Sequence, residues 1–153
     1  MQFPDLPFDD IPEVLVSYHF EGVAFDLPDQ YALTDWLVEV ATQEGKDFYE
    51  VSYIFCSDEH LRGINVEYLD HDYYTDVITF ALSEESIHGD IFISSERVEE
   101  NARTEGVPFL YELCRVMVHG VLHLAGYGDK SLEEAAMMRR KEDYYLQHLP
   151  VIN

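Results

Sequence analysis

Basic residues are scarce in this sequence. Nine lysines and arginines face 31 aspartates and glutamates across 153 residues, a formal net charge of −22 at neutral pH. A stripe of positive charge is the usual footprint of proteins that hold nucleic acid by its phosphates. That mode is excluded for the surface as a whole. A nucleic-acid partner would have to be met through a local basic patch, through metal ions, or through a protein that presents it. Cysteine is nearly absent too. Cys56 and Cys114 are far apart, form no CxxC pattern, and read as buried apolar fillers rather than as a disulfide or metal ligands. No run of about eighteen uncharged apolar residues exists, so neither a membrane span nor a membrane partner is expected. The first residues, Met1-Gln2-Phe3-Pro4-Asp5, lack the basic and apolar regions of a signal peptide, and the expected location is cytoplasmic.

What is present suffices for a packed interior. Apolar residues make up 47 % of the chain and aromatics 14 %, too much for disorder, and the length suits one domain over residues 1–153. The first dozen residues, with three prolines and three acids, read as an irregular lead-in. β-forming residues mark strands over 14–20, 49–55, 77–82 and 87–93. Helical spacing of Leu33, Leu37, Val40 and Ala41 predicts a helix over 29–46, and a short one follows near 61–68. Ser94 or Ser95 caps a helix that Gly106 ends, Pro108 opens the next, and Ser131 with Glu134 forms a capping box for the last, which stops before Pro150. The order β, α, β, α, β, β, α, α, α implies an α+β fold, a mixed, roughly four-stranded sheet packed with helices. The helix after Pro108 is apolar almost all round, which marks it as the buried, central one.

That helix carries the chemistry. His119 and His123 stand four apart, on one helix face, so both imidazoles can reach a single ion. Gly126 stops the helix, and Asp129 follows close enough to swing back as a third ligand. Three protein ligands with an open fourth position describe a catalytic metal site, with zinc as the first expectation and another divalent metal as the alternative. Metalloproteases of the HExxH type carry their glutamate base after the first histidine. Gly120 stands there instead, which counts against peptide hydrolysis. A glycine inside a helix costs about 1 kcal/mol relative to alanine, so close approach of another backbone or of substrate is the plausible reason for it. Each ring also needs an acceptor for its other nitrogen, and the sequence does not name one.

His119-Gly120-x-Leu122-His123-Leu124-x-Gly126-Tyr127 resembles the HGxLHLxGYDH motif of the YbeY family, bacterial endoribonucleases of ribosomal RNA maturation. Asn65-x-x-Tyr68 followed by Thr75-Asp76-Val77-Ile78-Thr79-Phe80 is similar to the family's LNxxYR…TDVLSF stretch, and Gly89-Asp90-Ile91-Phe92-Ile93-Ser94 to its GDIxIS strand. The resemblance implies a mixed four-stranded sheet, one bound zinc, and hydrolysis of single-stranded RNA in ribosomal RNA maturation and ribosome quality control. It implies ribosomal RNA and ribosome or assembly-related proteins as partners, and leaves the oligomeric state open.

Two positions depart from the family pattern. Where the third ligand is commonly histidine, this chain has Asp129. An anionic ligand makes a zinc ion a weaker Lewis acid and raises the pKa of its bound water. The alternative for Asp129 is a flank of the last helix, and His60, His71, His88 and His148 are rival third ligands. After Tyr68, where arginine is common, stands Leu69, which cannot hold a phosphate. Arg115 is the catalytic stand-in, one helical turn before His119, although an ion-pair role suits it as well; Arg62 and Lys130 are others. Asp90, with Asp76 as its rival, is the candidate base for a bound water, and turn or strand-end roles compete for both. The run Arg139-Arg140-Lys141, flanked by Glu142 and Asp143, reads as a solvated face laced with ion pairs. A ribosome assembly factor with a mainly structural metal, and a metallohydrolase of another bond, are the competing functions.

Overall fold

A computed structural model describes residues 15–150; the expected lead-in and the start of the first predicted strand lie outside the described residues. Four strands and five helices follow in the expected order. β1 (Val16–Phe20) leads through an irregular stretch to α1 (Gln30–Gln43), whose first turn is capped by Asp29 accepting from the Tyr31 and Ala32 amides. Gly45 (φ 73°) turns the chain just past α1, so the helix ends before the predicted Lys46. β2 (Asp47–Cys56), α2 (Asp58–Leu69), β3 (Val77–Ala81) and β4 (Ser86–Ser94) come next. α3 (Ser95–Glu105) is capped by Ser94 and closed by Gly106, α4 (Phe109–Leu124) begins after Pro108, and α5 (Leu132–Leu146) opens on the Ser131–Glu134 capping box.

The strands lie in the order β1-β2-β4-β3. β1 and β2, and β2 and β4, run parallel, each pair joined by a crossover that includes a helix; β3 and β4 run antiparallel across a short connection. Alternation along the strands sends Val51, Tyr53 and Phe55 of β2 and Ile87, Ile91 and Ile93 of β4 into one core with α1 and α4. A smaller cluster of Cys56, Leu61 and Ile78, with Phe80 and Phe92 against it, fills the space under α2 on the other face. Cys56 and Cys114 are free and buried, as read. Among the described residues no helix is long and apolar enough to cross a membrane.

α4 is seated on the sheet by missing side chains. A Cβ on Gly120 would lie 2.6 Å from Cδ1 of Ile91. One on Gly89 would press on the Phe80 carbonyl oxygen and stand 2.9 Å from Leu124. Glycine at these two facing positions lets helix and strand approach closely. The Tyr53 hydroxyl then donates to the Met117 carbonyl at 2.8 Å and ties β2 to the helix interior.

Candidate metal centre

α4 presents His119 and His123 at one edge of the core, with side chains 18 % and 26 % exposed. Gly126 (φ 109°) reverses the chain after the helix. The turn brings the Tyr127 carbonyl back over His123, which donates to it from Nδ1 at 2.8 Å. His119 donates from Nδ1 to Oε2 of Glu142 on α5 at 2.7 Å. With both Nδ1 atoms engaged as donors, each ring in its neutral form carries its lone pair on the outward-facing Nε2. Both Nε2 atoms point at Oδ2 of Asp129, at 3.3 Å from His119 and 3.2 Å from His123.

Three lone pairs converge here. A neutral imidazole that donates through Nδ1 has no proton left at Nε2, and a carboxylate has none at all, so with the rings neutral a bound cation satisfies all three atoms, whereas a protonated ring donates from Nε2 to Asp129. The spacing fits one. Two ligands each 2.0–2.1 Å from a tetrahedral zinc stand about 3.3 Å apart. His119, His123 and Asp129 can offer atoms all within 4.8 Å of one another, and they are the one such group of metal-ligating side chains among the described residues. Of the rival histidines, His71 lines the same cleft, while His60, His88 and His148 lie elsewhere.

Glu142 was hidden in the sequence. It reads there as part of a solvated face, but it is buried, and the structure corrects that reading. Its Oε2 holds His119 while its Oε1 accepts from Arg115 at 3.2 Å. Arg115 also donates to Asp143 at 2.9 Å and lies 3.4 Å from Glu112. The candidate phosphate-binding arginine is therefore spent on three carboxylates, because it is buried and needs them. It lines the wall of the site and fixes Glu142, which fixes His119. Burial pulls the His119 imidazole down, but Glu142, Asp76 and Asp129 outweigh it and raise the ring above its ordinary value.

The two aspartate candidates part company. Gly89 and Ile91 face α4, so Asp90 between them points to the opposite face, beside its partner Phe80 and away from both histidines. As a base at this centre Asp90 is ruled out by strand parity. Asp76 instead precedes β3 and lines the cleft with His119, His123 and Asp129. Burial pushes its carboxyl up, against the charge of His119, and Asn101 donates to it at 3.4 Å. The cleft, about 590 Å³, runs from the three ligands along β3 to the loop after α2, within the range of small-ligand sites.

A family model described as Endoribonuclease YbeY matches residues 23–150. A protein named Endoribonuclease YbeY from Amoebophilus asiaticus is 43 % identical over 145 residues, covering 94 % of this chain and 99 % of its own. One of the same name from Flavobacterium johnsoniae is 49 % identical over 130 residues, 84 % of this chain and 93 % of its own. Among solved structures, the solution structure of TM1509 from Thermotoga maritima superposes with a TM-score of 0.62 at 31 % identity, over 88 % of each chain.

Proposed function

Since the chain belongs to the YbeY family of endoribonucleases, we propose that it cuts single-stranded ribosomal RNA with a divalent metal, zinc first, held by His119, His123 and Asp129. The observation that carries this reading is the convergence of the two Nε2 atoms on one carboxylate oxygen, with both Nδ1 atoms held by acceptors. Bound there, zinc supplies a water acidified toward neutral pH and a Lewis acid for a phosphoryl oxygen. Glu142 and the Tyr127 carbonyl keep both rings in the tautomer that binding needs. Asp76, facing the same cleft with its carboxyl raised by burial, takes the role of proton acceptor assigned by sequence to Asp90. Lys130 lines the same cleft and supplies a positive charge for a flanking phosphate. The setting is the cytoplasm, with the ribosome or its assembly proteins presenting the RNA to an otherwise acidic surface.

The test joins two measurements on the same samples. The full chain is analysed for bound metal and assayed on single-stranded RNA, beside His119→Ala and His123→Ala. About one metal ion per chain is expected, lost in His123→Ala, with metal-dependent cutting abolished in His119→Ala. Equal trace cutting by wild type and His119→Ala would mean contamination and sink the nuclease reading. A second reading, an assembly factor whose metal is structural, is favoured by one observation. Arg115, the buried arginine beside His119, is committed to Glu112, Glu142 and Asp143. A metal-loaded chain that binds ribosomal particles but cuts nothing is the result expected of it.

A further inference from the structure

We infer that the stacked His71–Tyr73 pair is a nucleobase platform at the rim of the metal centre, taking one unpaired base of the bound strand. The inference rests on the endoribonuclease reading and names the part of the chain that grips the RNA. The two rings lie 5.2 Å apart at 19°, and the Tyr73 hydroxyl stands 3.0 Å from His71 Nδ1. Both rings line the cleft that holds His119, His123 and Asp129. Tyr73 is 54 % exposed.

The loop that carries the pair is built, not slack. Asp70 ends α2 in the left-handed conformation, at φ 57°. The His71 amide donates to the Asn65 carbonyl at 3.0 Å, and the buried Asn65 side chain donates to the Tyr73 carbonyl at 3.1 Å. Arg62 holds Asp72, the residue between the two in sequence, at 2.8 Å. These contacts give the buried Asn65 a role in shaping the loop, and they hold the pair in position. The next residue, Tyr74, is already engaged by Glu59 and by the guanidinium groups of Arg62 and Arg97.

Charge makes the case for stacking. Among the described residues lining the cleft, Lys130 is the one lysine or arginine. Arg62 is paired with Asp72, Arg97 with Asp58 and Glu100, and Arg115 with three acids. On a chain of net charge −22, grip through phosphates is weak. A base stacked on an aromatic face needs no positive charge and binds with little regard to sequence. It also needs an unstacked base, which single strands offer and duplexes do not. The platform therefore selects for strandedness at the entrance to the metal centre.

The test uses a short single-stranded RNA carrying 2-aminopurine, its duplex with the complement, and the full chain with zinc. Binding is followed by quenching of 2-aminopurine and cutting is followed in parallel, with thermal melting as a fold control. Wild type should quench the single strand and not the duplex. Tyr73→Ala should weaken binding about tenfold and lose the quenching, while Tyr73→Phe keeps both. Equal binding and quenching by wild type and Tyr73→Ala overturns the platform, and cutting by both then leaves the nuclease reading standing. Quenching that depends on Tyr73, with no cutting by wild type, does the reverse. A wild type that binds neither strand overturns both.

Discussion

Glu142 and the Tyr127 carbonyl do the same work for different histidines: each accepts a hydrogen bond from an Nδ1–H, which in the neutral ring leaves the lone pair on the Nε2 that faces Asp129. Outer partners of this kind are worth about 10- to 100-fold in metal affinity. Glu142→Ala should therefore weaken metal binding by at least about tenfold, read by competition with a chelator. Unchanged affinity in a folded variant would mean that packing alone orients the ring. The sequence could not offer Glu142. The three ligands fall within eleven consecutive residues, so helical spacing and one turn bring them into view. Glu142 lies 23 residues beyond His119 in the charged run Arg139-Arg140-Lys141-Glu142-Asp143, and nothing local distinguishes a buried glutamate from its solvated neighbours. Asp90 was misread for a simpler reason. Its strand was recognised, but parity follows only once it is known which side of β4 meets α4.

At the scale of elements, the contact between α4 and β4 positions the centre. Gly120→Ala gains about 1 kcal/mol of helix propensity, but its methyl group must enter a space already filled by Ile91. Overpacking of this kind costs about 1–3 kcal/mol, so the variant should be less stable in urea. Ile91→Val in the same chain, which removes the nearest methyl group, should recover part of the loss. A Gly120→Ala chain as stable as wild type would show that α4 can shift freely on the sheet. The elements themselves were legible because periodicity and caps are local: Ser94 opens α3 and Gly106 closes it, and the Ser131–Glu134 box opens α5. Strand order was not. Placing β4 between β2 and β3 depends on how the crossovers pack on the sheet, which no window of sequence contains.

Across the whole molecule most acids are exposed, and their ion pairs contribute little to stability. Glu44 is different. Its side chain is 7 % exposed and accepts from the hydroxyls of Tyr127 and Tyr145 and from Lys141, so one carboxylate joins the end of α1, α5 and the turn after α4. Burial pushes this carboxyl up, but the three donors outweigh it and hold it below the ordinary value. A depressed carboxyl contributes stability that is complete above its unfolded value, about 4.3. That stability is lost as pH falls through the folded value. The stability gap between wild type and Glu44→Gln, measured in urea, should be full near neutral pH and close as the pH drops below the unfolded value. A gap that stays constant down the acid range would remove Glu44 from this role.

Two of the three candidate ligands ride on the most deeply buried helix, while Asp129, its side chain 40 % exposed, rides on the short segment between α4 and α5. Segments of low burial open at small free-energy cost, and buried helices open only with the molecule as a whole. The candidate centre thus sets two ligands on the rigid core and one on an exposed connection. For a metal held as proposed, Asp129 is the ligand whose release disturbs the core least.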